Sequence, residues 1–85
     1  MARLPRVVIA GQPLQLIQHG HNRGATFFAE EDYRRYADTL HRASRRFGCA
    51  IHAYVMMTNH VHLLLTPHDE RGPARMMQAV QFQQL

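Results

Sequence analysis

The chain has 85 residues, which is enough for one small hydrophobic core and excludes an arrangement of several full-sized domains. Its apolar share of 46% is ordinary for a globular protein and argues against wholesale disorder. Ten basic against six acidic residues give a formal net charge of +4, and all ten basic residues are arginine. Arginine presents a planar fork that matches phosphate groups and guanine edges, so the charge favours a nucleic-acid partner. Codon usage would explain the missing lysine but not the excess charge.

The single cysteine, Cys49, excludes an internal disulfide and a cysteine-based zinc site. Residues 1–13 lack the apolar run of a signal peptide, and no segment approaches the roughly 18 apolar residues of a membrane span. We therefore expect an intracellular protein with no membrane segment, forming a single domain over residues 1–85. A chain of this size buries little surface, and a second copy would add burial. A homodimer is therefore a candidate assembly.

The N-terminal third combines a basic arm with a first strand. Residues 1–13 contain Arg3, Arg6 and several turn-forming residues, and are expected to form an extended arm. Apolar and polar residues alternate from Leu14 to His19, which predicts a short strand. Residues 20–26 (GHNRGAT) contain two glycines and an asparagine, and are typical of a turn.

The segment Glu31–Phe47 has the periodicity of an amphipathic helix. Its apolar stripe contains Tyr33, Tyr36, Ala37, Leu40, Ala43 and Phe47. Acidic residues at the beginning and Arg45 and Arg46 at the end match the helix dipole. Gly48 is suited to the left-handed conformation that ends a helix.

Two strand-length apolar runs follow, Ala50–Met57 and Val61–Thr66, and they predict a hairpin with its turn near residues 57–60. Residues 67–73 (PHDERGP) interrupt the pattern, and residues 74–85 have the spacing of a second helix. The order strand, helix, strand, strand, helix predicts an α+β, ferredoxin-like βαββα(β) fold with an antiparallel sheet, truncated before its final strand.

His60 and His62 form the sharpest chemical signal. Residues two apart on a strand share a face, so both imidazoles can approach one divalent cation while Val61 points to the core. A third ligand would have to come from elsewhere. Such pairs also arise by chance on protein surfaces, and spacing alone leaves both interpretations open. His52 and Tyr54 are two positions apart on the preceding strand, a spacing at which they would share a face, but an ordinary histidine on the polar face is the favoured interpretation of His52.

Several segments resemble one family. Residues 49–65 (CAIHAYVMMTNHVHLLL) are similar to the HUH hairpin of the single-tyrosine transposases, especially the REP-associated tyrosine transposases. The opening MARLPR, the GHNR of residues 20–23 and the MMQ of residues 76–78 resemble the same family, in the same order.

The resemblance implies an enzyme of transposition, a form of DNA recombination, that cleaves and rejoins single-stranded or hairpin DNA through a phosphotyrosine. It implies that His60 and His62 bind Mg²⁺ or Mn²⁺ as the divalent metal. It further implies a cytoplasmic, nucleoid-associated bacterial protein. Candidate DNA contacts lie in the arm and the turn: Arg3, Arg6, Asn22 and Arg23.

The nucleophilic tyrosine of the family lies on a later helix, and no tyrosine follows Tyr54 in this chain. Tyr33 and Tyr36 fall on the core stripe of the first helix. We therefore expect a partial HUH domain, truncated before the tyrosine-bearing helix and without a catalytic residue of its own. Two alternatives stay open: a catalytically dead DNA-binding remnant, and a small ferredoxin-like module that binds metal or RNA.

Overall fold

The computed structural model describes residues 2–3, 7–19, 27 and 29–82. Four strands and two helices follow each other along the chain: β1 (Ala2–Arg3), β2 (Leu14–His19), α1 (Glu30–Arg46), β3 (Cys49–Met56), β4 (His60–Pro67) and α2 (Gly72–Phe82). The predicted strands, hairpin and helices are all present, with ends that differ by one or two residues at most of the boundaries.

The strands form one antiparallel sheet in the order β1-β2-β4-β3. Strands β2 and β4 lie in the middle, where Leu16 is the partner of Leu63. The connection from β2 through α1 to β3, followed by the β3–β4 hairpin and α2, confirms the α+β, ferredoxin-like arrangement. Strand β1 lies within the segment that the sequence predicts as an arm, and it pairs with the outer edge of β2.

Both ends of α1 follow the signals in the sequence. Its first turn contains three acidic residues, and the carboxylate of Asp32 accepts a hydrogen bond from the backbone N–H of Ala29 at 3.1 Å. Beyond its last turn, Gly48 has a φ of 67°, the left-handed conformation that an L side chain rarely adopts. The chain can therefore turn sharply from α1 into β3.

One face of the sheet is covered by both helices and holds the core. The buried residues of β2 and β4 alternate with exposed ones, which fixes the face that each side chain occupies. Helix α1 contributes Tyr36, Leu40 and Ala43 to this core, and α2 contributes Met76, Met77 and Val80. The other face, which we call the open face, carries exposed and half-buried side chains in the described part of the chain.

Helix α2 begins two residues earlier than the sequence predicts. Pro73 lies in its first turn, where the missing N–H of proline costs nothing. The carboxylate of Asp69 accepts hydrogen bonds from the backbone N–H groups of Arg71 and Gly72 at 2.9 and 2.7 Å. Neither described helix combines the length and the apolar character needed to cross a membrane.

Candidate functional site

His60 and His62 lie together on the open face of β4. Their ring centroids are 4.9 Å apart, and the planes of the two rings are inclined by 70°. Val61 between them is only 1% exposed and lies in the core. An imidazole ligand places its ring centre roughly 3 Å from a metal ion, so two rings that share one ion lie within about 6 Å of each other. The spacing of this pair fits that requirement.

Asn59 holds the ring of His60 from the hairpin turn. The Nδ1 atom of His60 lies 2.7 Å from Oδ1 of Asn59, and because a carbonyl oxygen only accepts, Nδ1 donates the proton. In the neutral ring, Nε2 of His60 is then the nitrogen with the free lone pair. A hydrogen bond on one ring nitrogen is the usual way in which proteins orient a metal-binding histidine.

His19 joins the pair from the neighbouring strand. It is the register partner of His60 across β2 and β4, and their ring centroids are 5.9 Å apart. The spacing of histidines along the sequence gives no indication of this neighbour, because the alignment of β2 with β4 depends on the folded sheet. Buried residues alternate with exposed or half-buried ones along Leu14–His19, and this alternation places His19 on the open face.

His52 lies on the opposite side of the sheet from Tyr54, although a spacing of two would place them on one face of a regular strand. The register of β3 shifts between Ile51 and Ala53, where a bulge inserts His52 as an extra residue. The Nε2 atom of His52 lies 2.7 Å from the hydroxyl of Thr66 on the open face. Tyr54 pairs with Leu63, whose side chain is buried on the helix-covered face.

The three tyrosines all lie on the helix-covered side of the sheet. Tyr36 is buried, and this burial raises the pKa of its hydroxyl. Tyr33 stacks on Phe27 with a centroid distance of 4.6 Å. Tyr54 is 39% exposed and lines a shallow groove with residues of α1. The sheet therefore separates each of the three hydroxyl groups from the histidine pair.

Cys49 is buried at the start of β3. Burial, and to a smaller extent the carboxylate of Asp69, raises the pKa of its thiol to about 11. Thiolates are the nucleophilic form of cysteine, so a thiol held protonated at neutral pH is unreactive. Cys49 therefore acts as a packing residue.

The candidate DNA contacts are only partly described. The backbone of Arg3 pairs with Ile17, and Ile17 pairs with His62, so these three residues form one row across the sheet. Arg6, Asn22 and Arg23 lie outside the described residues.

Among the described residues, the site offers two neighbouring imidazoles that could bind a metal ion. Across residues 7–19, 27 and 29–82, no group of three or more His, Cys, Asp or Glu side chains is arranged to hold a metal ion. His60 and His62 supply two nitrogen donors. If the pair holds a metal ion, the other coordination positions would be filled by water, by substrate oxygens or by groups beyond the described residues.

A family model described as "Transposase IS200 like" matches residues 13–84. The chain belongs to the IS200-like transposase family. This match confirms the resemblance to transposases, and transposase-type DNA binding and cleavage is the activity that the family indicates. No curated protein and no solved structure matches the chain.

Proposed function

We propose that this IS200-like transposase chain carries the metal-binding hairpin of an enzyme that cuts and rejoins single-stranded DNA through a phosphotyrosine. The proposal is carried by the position of His60 and His62, which lie side by side on the open face of the sheet. A DNA strand can reach this face, because its side chains are exposed or half-buried in the described part of the chain.

His60 and His62 would hold a divalent ion, with Mg²⁺ or Mn²⁺ as the proposed metal. When bound, the ion would polarise the scissile phosphate as a Lewis acid and help to orient it. Two imidazoles alone favour softer metals. A site for Mg²⁺ or Mn²⁺ therefore depends on oxygen ligands from water and from the DNA. Asn59 orients His60, so its role is to position a ligand.

The nucleophile of this reaction is proposed to come from a tyrosine outside these 85 residues. Attack by its hydroxyl forms a bond between the tyrosine oxygen and phosphorus, breaks the bond from phosphorus to the 3′ oxygen, and leaves a 3′-OH. None of the three tyrosines of the chain lies on the face of the histidine pair. This placement favours a second candidate function, in which the chain binds DNA hairpins without cutting them.

The basic arm and the turn after β2 are proposed to bind the DNA. Arg3 occupies the same row of the sheet as His62, which supports a contact near the proposed cleavage site. Arg6, Asn22 and Arg23 are proposed as further contacts to phosphates or bases. We also propose that the protein works at the bacterial nucleoid, on single-stranded or hairpin DNA, and that two copies assemble as a homodimer.

Mn²⁺ titration followed by NMR tests the metal site. The paramagnetic ion should broaden the amide signals of residues 60–62 first, and a chelator should restore them. In a His60→Ala/His62→Ala variant this selective broadening should be lost. His41→Ala is the matched control, because His41 is exposed on α1, which covers the other face. If Mn²⁺ broadens the same residues in the double variant, the assignment of these ligands is wrong.

A further inference from the structure

The arginines of the described part of the chain fall into two groups. Three of them form ion pairs along α1, with Arg34 paired to Glu30 at 3.0 Å, Arg35 to Glu31 at 3.5 Å and Arg42 to Asp38 at 2.6 Å. The second group has no ion pair within the described residues: Arg45, Arg46, Arg71 and Arg75. This second group lies at one end of the molecule, where α1 ends and α2 begins.

Three of these unpaired arginines line one pocket. Arg45, Arg46 and Arg75 surround a cavity of about 250 Å³ that also contacts His68 and Asp69. We call Arg45, Arg46 and Arg75 the arginine surface. Gly72 brings the two helices together here, because a Cβ at this position would lie 2.6 Å from the carbonyl oxygen of Phe47. The close approach of α2 to the end of α1 therefore assembles the arginine surface.

Helix dipoles explain only part of this cluster. Arg45 and Arg46 lie at the negative end of α1, where cations are stabilised without any ligand. Arg75 is the fourth residue of α2, close to the positive end of that helix, and the first turn of α2 contains no acidic residue. The carboxylate of Asp69 already accepts two backbone hydrogen bonds there. Among the described residues, Asp69 is the single carboxylate in the lining of this pocket and faces three guanidinium groups, so the pocket keeps an excess of positive charge that a bound anion would offset.

We propose that the arginine surface is a second phosphate-binding site, which contacts the DNA stem adjoining the strand held at His60 and His62. This inference rests on the proposed function, because it takes DNA as the anion. Guanidinium forks bind phosphate oxygens with two N–H groups at once, and three of them in one pocket match a sugar–phosphate backbone. DNA supplies such a backbone, and DNA is the natural partner of a chain from a transposase family.

The distance between the two sites sets the length of DNA that can reach both. Strand β4 runs from His60 at the histidine pair to Pro67, next to His68 in the arginine pocket. Seven steps along a strand cover about 24 Å. This length is a lower bound, because the helices that carry the arginine surface cover the opposite face of the sheet from the histidine pair. Successive phosphates of one strand in B-form DNA advance about 3.4 Å along the axis, so a stem must be longer than roughly seven base pairs to reach both sites.

The test compares two triple variants with the same change in net charge. Arg45→Gln/Arg46→Gln/Arg75→Gln removes the arginine surface, and Arg34→Gln/Arg35→Gln/Arg42→Gln removes the paired arginines of α1. Each full-length chain is titrated, at several salt concentrations, into a labelled DNA hairpin with a roughly 12-base-pair stem and a single-stranded flank. All six side chains are exposed, and thermal unfolding checks that both variants fold like the wild type.

The surface variant should bind the hairpin at least about tenfold more weakly than the wild type. The slope of the log binding constant against the log salt concentration should be smaller in magnitude by about 2 to 3, since each duplex phosphate contact contributes about 0.9. The control variant should stay within about twofold of the wild type, because its arginines are already paired. A stem shortened to roughly four base pairs should weaken wild-type binding and leave the surface variant unchanged.

Equal losses in the two triple variants would overturn the inference, because they would reflect net charge alone. The assignment to duplex phosphates would be overturned if the two variants differed in their affinity for the isolated single-stranded flank but not in their affinity for the stem. A wild-type chain that binds no DNA would overturn the proposed function itself. These outcomes are distinguishable, because the first two require wild-type binding.

Discussion

A buried polar contact links α1 to the central strand β2. The hydroxyl of Tyr36 donates a hydrogen bond to Oε1 of Gln18, and both side chains are almost fully buried. The Nε2 atom of Gln18 has no partner within the described residues. A buried polar group that loses its partner carries its full desolvation cost, so the two residues depend on each other.

We predict that Tyr36→Phe lowers the free energy of unfolding by about 1–3 kcal/mol, because it leaves the Gln18 amide wholly unpaired in the core. Gln18→Leu should cost less, because it leaves the Tyr36 hydroxyl without a partner but also removes the Nε2 group that has none within the described residues. The double variant should be more stable than the sum of the two losses implies, because no polar group is left without a partner. Urea unfolding of the four proteins measures this coupling, and additive losses would contradict it.

The junction of α1, β3 and α2 depends on close packing at one glycine. A Cβ on Gly72 would lie 2.6 Å from the backbone oxygen of Phe47 and 3.2 Å from Sγ of Cys49. Backbone atoms cannot move out of the way as the end of a flexible side chain can. Any side chain at this position therefore pushes the start of α2 away from the end of α1.

We predict that Gly72→Ala destabilises the fold by about 1–3 kcal/mol, as overpacking of a close-packed core typically does. Helix propensity alone predicts the opposite sign, because alanine is favoured over glycine by about 1 kcal/mol in a helix. Ala74→Gly is the matched control, since Ala74 is exposed in the same helix and should show only this propensity effect. A Gly72→Ala variant that is more stable than the wild type in urea would contradict the packing argument.

At the scale of the whole molecule, local patterns in the sequence predict the elements well. The acidic start and glycine stop of α1 place its ends within one residue, because capping and dipole effects act over a single turn. The apolar runs around Thr58 and Asn59 predict the hairpin and the face that His60 and His62 share. These features depend on residues close together in the chain.

The sequence does not predict the features that depend on strand alignment. His19 meets His60 only because β2 pairs with β4, and the bulge at His52 separates that residue from the face of Tyr54. The pairing of β1 with β2 is likewise a contact between distant parts of one sheet. Periodicity along one strand specifies which of its faces is buried, but it does not specify which strand lies beside it or which residues of the two strands pair.

We predict that the 85-residue chain alone forms no covalent adduct with DNA, even with Mg²⁺ or Mn²⁺ present. Strand transfer requires an oxygen nucleophile aligned with the phosphate at the metal. Tyr54 lies on the other side of the sheet from the histidine pair, and Tyr36 is buried. Helix α1, which carries Tyr33, covers that same other side.

The assay incubates the purified chain with labelled single-stranded hairpin DNA and Mn²⁺, and then looks for a protein–DNA adduct that survives denaturation. DNA binding measured in the same sample shows that the chain is folded and engaged. An adduct that disappears in Tyr54→Phe would show that this residue is the nucleophile and that the proposed division of roles is wrong. Adduct formation only after a tyrosine-bearing helix is joined to the chain is the expected result, because the open face would then carry both the metal ligands and the attacking hydroxyl.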